Sequence, residues 1–226
     1  MNFETMLAFL HEFGADALGV ALSLAILAAY YVTHKARVRR DPSCSIHVSN
    51  ELARRLWLED VMSRPGKDVM AVQTMRNFIM YPILMVSTST LLIIGTLTLT
   101  GQAENISRSW HTLNFGGSPS AQLWIVKVIC LLADFLVAFF AYTMAIRMSN
   151  HVLFMMNIPK EHQDAHDVLS PARVARLLNR AGYMVTVGMR AFIFAIPLVF
   201  WLFGPVYLVL ATAGVAGILS RLDRHR

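Results

Sequence analysis

The residue with the greatest chemical potential in this sequence is Asp134, about twelve residues into a long apolar run. If that run crosses a bilayer, its carboxylate lies near the midplane, where a charge costs at least ~2.5–3.5 kcal/mol on insertion scales. It then requires a charged partner, a proton or water. Lys127 is seven residues earlier on the same helix face, but nearly two turns away (~10 Å) and toward the outer end. Arg190 lies fourteen residues before Gly204, at a depth similar to that of Asp134. The expectation is an Asp134–Arg190 ion pair inside a helical bundle, either fixing helix register or forming part of a proton or ion pathway. Four successive hydroxyls, Ser87-Thr88-Ser89-Thr90, can bond back to their own helix or across to a neighbouring one.

Other groupings are weaker. His162 and His166 are four residues apart, with Glu161 and Asp164 nearby. On one helical face that is a permissible divalent-metal arrangement, but two ligands do not make a site and a solvated polar loop explains them as well. His151 with Met148, Met155 and Met156 invites a soft-metal or haem reading, yet methionines in a lipid-facing protein are more often packing residues. There is no C-x-x-C-H, Walker loop, dinucleotide fingerprint or nucleophile elbow. No catalytic residue, no metal and no cofactor is therefore expected, and the chain reads as non-enzymatic. Cys44 and Cys130 fall on a basic loop and within a span, so a disulfide between them is not expected.

The elements that must position these residues follow from composition. Of 226 residues, 56% are hydrophobic and only 15% charged, and mean hydropathy is +0.51. A soluble domain carries nearer a quarter charged residues, which leaves little room for a water-soluble globular enzyme. The net charge of +6 is sorted rather than spread. Nine basic residues fall in 34–76, five in 147–180 and three in 221–226, while 101–121 holds only Arg108. Such sorting marks loops retained in the cytoplasm and argues against nucleic acid as a partner. The N-terminal stretch carries Glu4, Glu12 and Asp16 but no Lys or Arg. It lacks the basic region of a secretory signal and reads as a retained anchor with its N-terminus outside.

Five spans are expected, at about 17–33, 77–100, 121–146, 179–203 and 206–220. The stretch 191–220 is thirty residues without a charge; as one helix it would measure ~45 Å and would deliver the basic tail to the outer side. A turn at Gly204-Pro205 resolves both difficulties. The C-terminus then lies in the cytoplasm. Leu52, Leu56 and Val61 share roughly one face of a short interfacial helix at about 50–62, with Ser49 as N-cap and Arg54 and Arg55 flanking. Ser170-Pro171 opens the helix leading into span four. Tyr30, Tyr31, Trp110, Trp124, Trp201 and Tyr207 cluster at the expected boundaries, as interfacial anchors do. The fold class is thus all-α: a polytopic membrane helical bundle, taken as a single membrane domain of the bacterial inner membrane.

Several short pieces resemble the uncharacterised membrane proteins catalogued as domain of unknown function five-ninety-nine, found in bacteria and plants. They are Gln73 with Asn77, the Ser-Thr run leading to Gly95, Ala138-Phe139-Phe140 with Arg147 and Asn150, and Gly188–Ala195. The resemblance covers about Trp57 to the C-terminus. It departs at Ala141, where a basic residue is expected, and Asp134 has no counterpart in it. It implies a multi-span membrane protein and supplies no activity and no functional residue. The expected role is an accessory or scaffolding subunit of a larger membrane complex, with the bilayer and a membrane-protein partner or a second copy as its contacts. The alternative is a small solute, ion or proton transporter built around Asp134 and Arg190.

Overall fold

The structure, a computed structural model, describes residues 3–40, 46–64, 66–101 and 121–222. Trp110 and Cys44 lie outside these residues. Among the described residues every element is helical: α1 Phe3–Arg40, α2 Ile46–Ser63, α3 Asp68–Gly101, α4 Ala121–Met156, α5 Lys160–Ala165, a 3-10 turn Asp167–Leu169, α6 Pro171–Phe203 and α7 Pro205–Leu222. Four of them, α1, α3, α4 and α6, contain apolar stretches long enough to cross a bilayer, so the chain is a multi-pass membrane protein. The last apolar helix, Pro205–Arg221, is shorter.

The helices outrun the spans expected from hydropathy. α1 includes the apolar Leu7–Phe13 stretch and ends in Arg37, Arg39 and Arg40. α4 continues ten residues past Ile146 to Met156, because nothing in Arg147–Met156 breaks a helix and its apolar residues have a core to enter. α3 runs unbroken through Pro82. One local expectation is corrected. α2 begins at Ile46, so Ser49 is an exposed interior residue and not an N-cap; a serine inside a helix costs well under ~1 kcal/mol, too little to end it.

The break before α7 is where the sequence placed it. Gly204 has φ +142°, a conformation that glycine alone adopts readily. Its N–H donates to the Trp201 carbonyl at 3.1 Å, and Pro205 opens α7 at the position where a missing N–H costs nothing. A cluster then shows that the chain doubles back. Ile193 and Phe194 pack against buried Val215 and Leu219 together with Tyr30. A straight helix would hold Phe194 and Val215 roughly 30 Å apart.

By Cα packing the chain divides into two compact units. The first comprises Met1–Cys44, Leu92–Phe135 and Phe192–Arg226. Here α1 packs along α7. A Cβ added to Gly19 would stand 2.8 Å from the Pro205 Cβ, and eleven residues later Tyr30 meets Val215 and Leu219. Both positions advance together, so α1 and α7 run parallel and Arg221 ends up at the same end as Lys35. α4 and α6 are antiparallel in this unit: Trp124 and Val128 pack with Leu202, and Leu131 and Phe135 with Ala195, Phe192 and Leu198.

The second unit comprises Ser45–Leu91 and Leu136–Ala191. Its core joins α2 (Leu58, Val61, Met62), the start of α3 (Ala71, Met75), the end of α4 (Val152, Met156) and the start of α6 (Val174, Ala175, Leu178). Leu58, Ala71, Val152 and Val174 are fully buried. Burying four helix faces in this way is what makes a separate α2 stable, since an isolated 18-residue helix is marginal in water.

Candidate functional site

A buried charge pair in the first unit is built from three helices. α1 supplies Asp16, α4 supplies Lys127 two turns after its start, and α6 supplies Trp201 one turn before the Gly204 break. The Lys127 Nζ lies 2.9 Å from the Asp16 Oδ1, with side chains 5% and 2% exposed. The Trp201 indole N–H donates to the same oxygen at 2.9 Å. The ammonium also stands 5.5 Å from the Trp201 ring centroid, within reach of a cation–π contact. A buried charge is tolerable when paired and hydrogen-bonded, and this geometry supplies both. The close approach at Gly19 and Pro205 sets the depth at which Asp16 meets Trp201.

Asp16 and Trp201 also line an open cleft of about 570 Å³, together with Ala17, Val20, Leu24, Leu123 and Val126. The arrangement can hold helices in register and present an apolar recess. Sequence reasoning missed its acid. The sequence shows Asp16 only within an acidic N-terminal stretch, and Lys127 only as a distant companion of Asp134. The available signal was the apolar Leu7–Phe13 stretch, which makes Asp16 an interior residue of one long helix. Trp201, Trp124 and Tyr30, expected as interfacial anchors, are each only 7% exposed, because each packs between helices.

Asp134 is half-buried on α4 in the first unit. Its Oδ2 is enclosed and has no hydrogen-bond partner among the described residues. Arg190 is half-buried on α6 in the second unit. The four hydroxyls of α3 bond back to their own helix: Ser87 to the Ile83 carbonyl at 3.3 Å, Thr88 to Leu84 at 3.0 Å, Ser89 to Met85 at 2.7 Å and Thr90 to Val86 at 3.0 Å. They satisfy themselves within the helix.

The shared helical face proposed for His162 and His166 is corrected. α5 ends at Ala165, and His166 is extended, with φ −131° and ψ 106°, so the four-residue spacing does not align the two rings. Both are exposed, and no group of three or more potential ligands exists among the described residues.

The second unit holds a different kind of site. α2 and α6 form an open pocket of about 380 Å³ lined by His47, Glu51, Arg54, Arg176, Asn179, Arg180 and Tyr183. The Arg54 Nε–H donates to the Asn179 Oδ1 at 2.9 Å, and the Asn179 amide donates to the Glu51 carbonyl at 3.3 Å. A Cβ on Gly182 would fall 2.8 Å from the Arg54 Cζ, so the missing side chain is what lets the guanidinium lie against α6. Burial there pulls the Arg54 pKa down from the usual arginine value, against the opposing pull of Glu51. Deeper in this unit the Tyr81 and Tyr142 hydroxyls stand 3.4 Å apart, with Tyr142 wholly buried.

Comparison with curated proteins and with solved structures finds no significant match. One family model does match, over residues 18–226, a span that begins well before Trp57, takes in Lys127 and Trp201, and starts two residues after Asp16. The chain therefore belongs to the family described as protein of unknown function, DUF599.

Proposed function

We propose that this protein is a non-enzymatic membrane bundle acting as an accessory or scaffolding subunit of a larger complex in the bacterial inner membrane. In this reading α7 is a fifth crossing, the N-terminus is outside and the C-terminus is in the cytoplasm. The observation that carries it is the Asp16–Lys127–Trp201 cluster, in which a buried charge pair is spent on holding helices together beside an apolar cleft. The orientation is supported by the parallel course of α1 and α7, which sets Arg221 level with the basic end of α1, as a shared cytoplasmic side requires. The partner surface is supported by α3. Its buried positions, Ala71, Met75, Ile79, Pro82, Ser89 and Thr96, form one narrow seam, leaving residues such as Val69 and Leu91 about 70% exposed. Lipid, a second copy or another membrane protein covers the rest. Purification from the native membrane in mild detergent tests the role. Stoichiometric co-elution of another membrane protein is expected, and a lone monodisperse species would refute it.

A second reading keeps the transporter. The enclosed Oδ2 of Asp134, without a hydrogen-bond partner among the described residues, favours it, because an enclosed carboxylate oxygen left unsatisfied is a costly feature to retain. Asp134 would then work with Arg190 in moving a proton, ion or small solute. Proteoliposomes carrying an internal pH indicator would show a proton flux that Asp134→Asn abolishes. Equal traces for wild type, variant and empty vesicles would exclude proton movement.

A further inference from the structure

The pocket between α2 and α6 has no part in either functional reading, yet its chemistry is specific. Three guanidiniums, those of Arg54, Arg176 and Arg180, face one carboxylate, that of Glu51. Arg54 uses its Nε on Asn179, and neither Arg176 nor Arg180 has an ion pair among the described residues. Elsewhere in the same unit, exposed arginines do find acids: Arg55 pairs with Glu59, Arg64 with Asp60 and Arg173 with Asp167. An arginine fork matches the oxygens of a phosphate group bidentately. The volume of about 380 Å³ falls within the roughly 300–1,000 Å³ of small-ligand sites.

The pocket's position adds a second, independent argument. Along α6, Arg176 and Arg180 occupy the last polar turns, and Tyr183 on the pocket rim opens the apolar stretch. α2 carries Leu52 and Leu56, 55% and 56% exposed, on the side opposite its packed Leu58. A helix that is apolar on both sides and arginine-bearing suits the headgroup layer of a bilayer.

We propose that the α2–α6 pocket binds a phosphate-bearing anion through Arg54, Arg176 and Arg180, with the headgroup of an anionic phospholipid as its membrane form and a soluble phosphate as its aqueous one. This requires only that α6 enter the membrane beyond Tyr183; it is independent of the subunit role.

The test uses the full chain purified in a neutral detergent. Native mass spectrometry and thermal melting are read during titration with short-chain phosphatidylglycerol, phosphatidylcholine or inorganic phosphate. Phosphatidylglycerol is expected to bind and to raise the melting temperature, with phosphatidylcholine far weaker. Arg176→Gln with Arg180→Gln should lower its affinity about twenty-five-fold, each charge near a membrane surface contributing about fivefold. Both residues are exposed, so the fold survives their loss. Arg173→Gln, on the same helix but paired with Asp167, is the control and should bind as wild type. If inorganic phosphate competes as strongly per phosphate as the lipid, the anion site stands and its ligand is the soluble form. Equal binding of both lipids without any effect of phosphate, or a double variant that binds like the control, would overturn the proposal.

Discussion

Removing one charge from the Asp16–Lys127 pair should cost far more than removing both. Side-chain exposures of 5% and 2% place the pair in the buried regime, where stranding one charge costs about 3–5 kcal/mol, rather than the ~0.2–1 kcal/mol of a surface pair. Asp16→Asn is the informative substitution, because its amide oxygen keeps an acceptor for the Trp201 indole while the charge is lost. Lys127→Met removes the ammonium and keeps the stem. Each single variant should lose about 3 kcal/mol, and the double variant about 1 kcal/mol, a coupling of several kcal/mol. A hydrogen bond alone inside a membrane bundle averages only ~0.6 kcal/mol, so the two explanations separate clearly. The assay is reversible unfolding of detergent-solubilised protein by titration with a denaturing surfactant, followed by tryptophan fluorescence. Costs that simply add, with a coupling below ~0.5 kcal/mol, would refute the argument that charge compensation governs this site.

Three further outcomes are expected. Gly188→Ala gains up to ~1 kcal/mol of helix propensity, but its Cβ would lie 2.7 Å from the wholly buried Tyr142 ring; overpacking costs ~1–3 kcal/mol, so the variant should melt lower and Tyr142→Leu should restore it. Gly19→Val should separate α1 from α7, since even a Cβ there meets Pro205; engineered cysteines at Tyr30 and Val215, which pack together, should then crosslink less than in the parent. The hydrogen bond from Lys67, aided by Arg64, holds the Asp60 carboxyl below its ordinary value. The stabilisation it brings to the α2–α3 turn is therefore present above the usual carboxylate pKa of ~3.9 and is lost as pH falls toward the depressed value. Asp60→Asn should melt independently of pH through that acidic window relative to the parent, and parallel curves for the two proteins would count against the link.

Local signals were legible in the sequence and distant ones were not. Gly204-Pro205 announced its break because a glycine free to take positive φ and a proline fit to start a helix stand side by side. Hydropathy marked all the long helices, and Ser170-Pro171 marked the start of α6. The helix ends were less readable: Met156 extends its helix because it and Val152 enter the core of the second unit, whereas α2 starts at Ile46 on an exposed turn. Asp16 was unreadable for a different reason. Its hydrogen bond to Trp201 joins residues 185 positions apart, and nothing in either segment names the other. The same holds for the arginine pocket. Arg54 and Asn179 are 125 positions apart, and the decisive signal, a glycine at 182 opposite a guanidinium, carries no meaning until the helices are packed.

The parallel union of α1 and α7 has a consequence for biosynthesis. Synthesis of α4 and α6 supplies α1 with the Lys127 and Trp201 contacts of Asp16, but the seam at Gly19 and Tyr30 closes only once Pro205–Leu222 has emerged. A chain interrupted within α7 would therefore hold α1 at one buried point alone, and quality-control proteases should degrade it faster than the uninterrupted protein.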